Sequence, residues 1–329
     1  MFWKQMTRIM TYSPRVGSKL PDLVQASYHH LGNARTNSFL EKTVYPLYCG
    51  SNDNVKLDQL LRALRGQNIK TILHLASESP ELYNVHEYTE NLSEKINYLQ
   101  PGDIVAIKLT SFYQKYALFT ENTEITLLPD LDALIRACLM KDLYITIDAE
   151  ESELNSTIIR VVHQLMQKYN KNCVRILATY QCYLKNTIND IISALEEAKT
   201  NNYYFGAKLV RGAYLEYERE KDNDCPCWET IEETAQCFLD AVDLLVTNKC
   251  PIIVASHNNE AIRTISSKYH KEQIKYAQLL GLNDQLTQYC VNHKLNVYKF
   301  VPYGPSEVVV PYLLRRLQEN RDLLQHAGK

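Results

Sequence analysis

The chain has 329 residues, 45% of them hydrophobic and 22% charged, with only 10 glycines and 11 prolines. That excludes a fibrous or linker-dominated protein and leaves a globular chain long enough to bury a core without staples. Lysine and arginine number 36 against 38 aspartates and glutamates, so no charge excess draws nucleic acid, and an anionic ligand must be caught by a local cluster.

The first 21 residues carry Lys4, Arg8, Arg15 and Lys19 ahead of the first acid, Asp22. Such a stretch fits either a mitochondrial presequence or a basic amphipathic first helix. Folded-looking sequence begins soon afterwards, which favours the helix. Residues 1–57 are therefore expected to form an N-terminal helical segment that packs on a single larger unit, 58–329. No run of about 18 apolar residues occurs, so no membrane-spanning helix is expected.

Eight short β-rich runs follow: Thr71–Leu75, Ile104–Thr110, Leu143–Asp148, Val174–Ala178, Tyr204–Val210, Pro251–Ser256, Ile274–Leu279 and Val297–Val301. Most are nearly continuous apolar stretches, as strands buried on both faces must be. Amphipathic segments such as Leu57–Leu64, Asp130–Cys138, Ser156–Gln167 and Thr230–Leu245 lie between them. Alternation of this kind implies a parallel sheet. Eight units in about 230 residues match a closed (β/α)8 TIM-type barrel of the α/β class. The alternative, an open doubly wound sheet, lacks its glycine-rich turn after any strand.

Nine cysteines, an odd number without repeated spacing, predict free thiols in a reducing compartment. Cys225 and Cys227, with Cys237 nearby, form a C-x-C that lacks the usual gap between zinc ligands and has no second pair. Thiols are expected there, and no metal.

Polar residues recur where the strands end: Lys108, Asp148, Gln181, Lys208 and the pair His257–Asn258. Singly, each has an ordinary reading as a solvated rim or a helix cap. Recurrence at one end of several barrel strands marks the end where barrel active sites form. After the eighth strand, the turn Pro302–Pro305 leads to a helix that Pro311 is expected to open as a first-turn residue. On it, Tyr312 precedes Arg315 by three residues and Arg316 by four, so it neighbours both. The two guanidinium groups diverge by about 100° yet both can reach an anion over the helix. Paired arginines hold a carboxylate through bidentate, charge-assisted bonds.

The segment from Tyr298 to Asn320, YKFVPYGPSEVVVPYLLRRLQEN, resembles the last strand and helix of the proline dehydrogenases. Five further segments match in the same order: AIKLTSF, ITIDAEES, ATYQCYLK, KLVRGAYLEYE and, together, ASHNNEAI with YAQLLGL. The resemblance runs over roughly residues 58 to 325. It implies a flavoenzyme that oxidises L-proline to 1-pyrroline-5-carboxylate, passing a hydride to FAD and electrons to a membrane quinone through a peripheral membrane contact. It also implies residue roles. Arg315, Arg316 and Lys108 would grip the carboxylate, Asp148 would offset their charge, and Tyr312, Leu279 and Phe300 would pack on the ring. Gln181, Lys208 and Val210 would meet the flavin ring. Arg211, Gly212, Ser256, His257, Asn258 and Glu319 would hold the rest of FAD, and Tyr214 would sit on a mobile loop.

Two positions depart from the family pattern. Phe300 stands where most members have tyrosine, and His74 replaces the usual aspartate at the end of the first strand. Four residues on, Glu78 matches an acid that can pair with an active-site arginine as a gate. The departures leave a hydroxyproline dehydrogenase as the same-chemistry rival. A Schiff-base aldolase barrel, using Lys108 or Lys208 as nucleophile, is the rival from another class. Location on the cytoplasmic face of a bacterial inner membrane is expected, or alternatively on the matrix side of the mitochondrial one.

Overall fold

The structure, a computed structural model, describes residues 26–27, 30, 32–76, 84–112, 128–221, 225–270 and 272–319. Lys4, Arg8, Arg15 and Lys19 lie outside the described residues, as do Glu78 and the side chain of Glu319.

Among the described elements, helices α1 (Asn33–Lys42), α2 (Tyr45–Tyr48) and α3 (Asn54–Arg65) precede the barrel. Strands and helices then alternate: β1 (Lys70–Leu75), α4 (Val85–Ile96), β2 (Ile104–Ile107), α5 (Pro129–Met140), β3 (Tyr144–Ile147), α6 (Ser152–Tyr169) and β4 (Ile176–Gln181). Next come α7 (Thr187–Thr200), β5 (Ala207–Val210), α8 (Leu215–Lys221), α9 (Ile231–Thr247), β6 (Ile252–Ala255), α10 (Asn259–Lys268), β7 (Ile274–Leu279), α11 (Asp284–Asn292), β8 (Asn296–Tyr303) and α12 (Ser306–Glu319). Every strand pairs in parallel with its sequence neighbours, and β1 closes on β8 over the register Lys70↔Tyr298 to Leu75↔Tyr303. The fold is thus the expected closed α/β barrel, not an open sheet.

Alternation along each strand sorts the core into two layers. Leu73, Leu75, Val105, Ile107, Ile145 and Ile147 face the helices, where α6 contributes Leu154, Ile158, Val161 and Leu165 at helical spacing. Ile72, Ile104, Ala106, Leu177, Ile253, Ala277 and Tyr298 fill the barrel interior. Helix ends are fixed locally: Thr230 and Glu233 form a capping box on α9, and Asn84 with Glu87 does the same on α4.

Several boundaries move from their expected places. β2 stops at Ile107, and Lys108 leads into a short 3-10 turn, Leu109–Ser111, instead of continuing to Thr110. β4 starts two residues late and runs on to Gln181. There the Asn170 side chain accepts the backbone N–H groups of Arg175 and Ile176 at 3.0 and 2.9 Å, which sets the strand's start. The last helix begins at Ser306, so Pro311 lies inside α12 and does not open it. Pro305, whose carbonyl accepts from Val308 and Val309 at 3.0 Å, marks the start. Finally, Cys225 and Cys227 are joined as a disulfide, with Cα atoms 5.3 Å apart, where free thiols were expected. The remaining seven cysteines are free.

Helix α12 is seated across the barrel mouth by the N-terminal helices. Val309, Val310, Tyr312 and Leu313 pack against Leu40, Val44, Tyr45 and Tyr48, and the Tyr45 hydroxyl donates to the Gly304 carbonyl. This apolar clamp holds the charged face of α12 over the strand ends.

Candidate active site at the barrel mouth

A cavity of about 390 Å³ opens at the carboxyl ends of the strands, the end where barrel active sites are built. β1 supplies Ile72 and His74, Lys108 follows β2, and Asp148 follows β3. β4 supplies Gln181, β5 supplies Lys208 and Val210, and the loop after β5 supplies Arg211, Gly212 and Tyr214. Ser256, His257 and Asn258 follow β6, Leu279 ends β7, Phe300 lies on β8, and α12 brings Tyr312 and Arg316. Sixteen of the residues singled out from the sequence thus line one cavity. Arg315 is not among them: its guanidinium lies 5.0 Å from the centre of the Tyr214 ring, while that of Arg316 lies 5.4 Å from the Tyr312 ring.

The charges are buried and coupled. Lys108, Lys208 and Asp148 are 6%, 5% and 9% exposed. Lys208 donates to the Asp148 carboxylate and lies 5.7 Å from the centre of the Phe300 ring. Burial alone would push the Asp148 carboxyl up. The positive charges of Lys208 and Lys108 outweigh it and hold the group below the usual carboxylate range. Lys108 has the Tyr214 hydroxyl at 3.4 Å. Glu150 lies on the far side of it, accepting from the Thr110 backbone and hydroxyl at 3.2 and 2.7 Å. Burial raises the Glu150 pKa, with Lys108 only partly offsetting this.

The direct ion pair of Asp148 is with Lys208, a partner the sequence reading did not name, and its charge is also coupled to Lys108. With its Nζ engaged by the buried Asp148 carboxylate, Lys208 is not presented as a free nucleophile of the Schiff-base kind.

Several donors of cavity-lining residues have no hydrogen-bond partner among the described residues. The Leu279 N–H donates to His257 Nε2 at 3.1 Å. That bond requires a lone pair on Nε2 and so puts the ring proton on Nδ1, which has no partner. Gln278 accepts from the Thr287 hydroxyl at 2.5 Å through Oε1, which leaves its Nε2 without a partner. Arg211 Nε is likewise buried and unpartnered. Asn258 differs from expectation: its side chain accepts the Ala261 N–H at 2.7 Å and caps α10. Gly212, at φ 154°, lies so close to Tyr183 that a Cβ there would sit 1.8 Å from the ring. Only glycine lets this loop approach the barrel wall.

His74 and His257 are both neutral. Burial lowers their pKa values to about 4 and about 3, against 6.5 for the free side chain. The unfolded chain therefore binds more protons than the folded one below pH 6.5, and stability falls as pH drops toward 4. Each histidine should contribute a slope of about 1.4 kcal/mol per pH unit between roughly pH 6 and pH 4.5. Denaturant unfolding of the wild type and of His257→Gln at pH 6.5, 5.5 and 4.5 measures it; equal slopes for the two proteins would refute the assignment.

A family model described as proline dehydrogenase matches residues 57–327. The chain belongs to the proline dehydrogenase family. It is 36% identical over 222 residues to the mitochondrial proline dehydrogenase 1 of Drosophila melanogaster, covering 60% of this chain and 33% of that protein. It is 34% identical over 202 residues to the hydroxyproline dehydrogenase of Bos taurus, covering 56% and 44%. Among solved structures, proline utilization A from Bdellovibrio bacteriovorus superposes with a TM-score of 0.77 at 20% identity, over 96% of this chain and 37% of that one. The likeness extends the barrel fold to a distant relative. The chain spans about a third of the length of the fly and nematode proline dehydrogenases it matches.

Thr179, Gln278 and Ala213 also line the cavity; they lie within the matching segments, but no role was assigned to them. Thr179 was within reach, being two residues before Gln181 on the same strand face. Gln278 is a polar residue inside the otherwise apolar end of a buried strand, a signal of the same kind.

Proposed function

We propose that this chain catalyses the FAD-dependent oxidation of L-proline, or of a close ring analogue, to the corresponding pyrroline carboxylate. The observation that carries the reading is the constellation at the barrel mouth: a small, largely apolar cavity lined by Lys108 and Arg316 and by N–H donors that have no partner among the described residues. Arg316 and Lys108 hold the carboxylate of a small amino acid, since a buried and a half-buried cation lining one cavity suit one small anion. Phe300, Tyr312 and Leu279 supply apolar walls for the ring methylenes.

The same cavity fits FAD. Arg211 Nε and His257 Nδ1–H are dry donors that oxygen atoms of a pyrophosphate would satisfy, and Gln278 Nε2 and Gln181 stand where ring carbonyls can be met. Ser256, Gly212 and Glu319 complete the proposed FAD set, with Val210 against the ring. FAD supplies the hydride acceptor. The chain's own residues orient the substrate carbon next to nitrogen, exclude water and balance charge. Lys208, held by Asp148, keeps a positive charge beside the reacting face, where negative charge must grow. No side chain is required as a base if the amine binds neutral, because its lone pair assists loss of the hydride.

Electrons pass on to a membrane quinone in this reading, through a peripheral contact on the matrix side of the mitochondrial inner membrane, as the mitochondrial relatives favour. Among the described residues no helix is long and apolar enough to cross a membrane. The N-terminal segment 1–57 is proposed as a helical support for α12, and Glu78 as a gate.

The test is the visible absorption of purified, FAD-reconstituted protein, before and after L-proline is added without oxygen. The flavin band should bleach with proline or with a ring-hydroxylated proline. A band that neither compound bleaches would overturn the reading.

A further inference from the structure

We propose that His74 is a specificity-determining residue: its Nε2 accepts a hydrogen bond from a hydroxyl on the substrate ring, so that the chain favours hydroxylated prolines. This rests on the reading of the cavity as the site of cyclic amino acid oxidation.

The geometry determines which nitrogen can do this. His74 is fully buried, and its Nδ1 lies 3.2 Å from the Ala106 carbonyl of the neighbouring strand. A carbonyl oxygen only accepts, so Nδ1 carries the proton and Nε2 is left with a bare lone pair. Among the described residues Nε2 is buried and has no hydrogen-bond partner. Buried acceptors are nearly always satisfied, and an orphan at the wall of a binding cavity calls for a ligand.

The neighbours narrow the choice of donor. A substrate carboxylate offers only lone pairs and is drawn to Lys108 and Arg316. Ring methylenes offer nothing. His74 packs against Phe300 and Tyr312, with ring centres 5.2 and 5.8 Å away, and these are the two walls assigned to the substrate ring. A donor that reaches Nε2 between them sits on a ring carbon, which is where a hydroxyproline carries its hydroxyl. Phe300 has no hydroxyl of its own to occupy the lone pair. A site built to pair with a substrate hydroxyl penalises the analogue that lacks it, because the site's own group is then left bare.

The test compares kcat/KM for L-proline with that for the better of the trans and cis 4-hydroxy-L-prolines, in the wild type, His74→Leu and His74→Gln. In the wild type the hydroxylated substrate should match or exceed the proline value. In His74→Leu the hydroxyproline-to-proline ratio should fall by roughly 10- to 100-fold, while His74→Gln, which retains an acceptor, should stay within about threefold of the wild-type ratio.

A wild type that clearly prefers proline over both hydroxyprolines overturns the proposal even if the leucine variant fails to fold. So does a leucine variant whose two activities fall by the same factor, since that would mean His74 meets the amine common to both substrates. Failure of both compounds to bleach the wild-type flavin is a different result, and overturns the functional reading along with this one.

Discussion

Arg316→Met should lower kcat/KM for the preferred substrate by about 30- to 1000-fold, while Arg315→Met should lower it by less than about tenfold. The two arginines are adjacent in sequence, and on sequence grounds both were expected to grip the carboxylate. A helix turns them about 100° apart, and the structure divides their surroundings. Arg316 lines the cavity beside Tyr312, whereas Arg315 lies over the ring of Tyr214. Losing a charge-assisted bond to a desolvated carboxylate is worth about 2–4 kcal/mol. Losing a cation–ring contact at the cavity rim is worth about 1 kcal/mol. The methionine keeps the length of the side chain, so packing against the N-terminal helices is preserved. Steady-state kinetics of both variants decide the matter, and equal losses would show that the arginines act as one clamp after all.

The barrel was legible because its strands are buried on both faces and so appear as apolar runs, a signal that needs no partner to interpret. The C-terminal end of the sheet was legible for a related reason: a charged residue at the end of such a run, repeated from Lys108 to Lys208, has no structural need to be there. What remained hidden depends on groups far apart in sequence. Asp148 follows β3 and Lys208 lies on β5, strands that do not pair with each other, and only the curvature of the barrel brings their side chains together at its mouth. The proton positions on His74 and His257 are dictated by a carbonyl on β2 and an N–H at the end of β7. Pro311 misled because proline usually opens a helix. Here the clamp formed by Leu40, Tyr45 and Tyr48 on α12 holds the helix together through the missing hydrogen bond. The spacing of Cys225 and Cys227 argued against zinc but was silent on whether two thiols so close would bond to each other.

Asp148→Leu should destabilise the fold by about 3–5 kcal/mol, because it strips the buried Lys208 ammonium of the carboxylate it pairs with. The single change removes few contacts. Its effect comes from desolvation: Lys208 is 5% exposed, so water cannot replace the lost partner. Lys208→Met alone should also destabilise, by stranding the carboxylate, and in that variant the Asp148 pKa should rise as its main counter-charge disappears. The double variant Asp148→Leu with Lys208→Met should recover most of the loss, since replacing a buried ion pair by apolar groups of similar size is often neutral or better. It should nonetheless be inactive, which separates what the pair does for stability from what it does for the reaction. Denaturant unfolding of the four proteins at pH 7 gives the coupling energy directly. A double variant as unstable as the sum of the two singles would mean that the pair is not coupled and that Asp148 serves chiefly another cation.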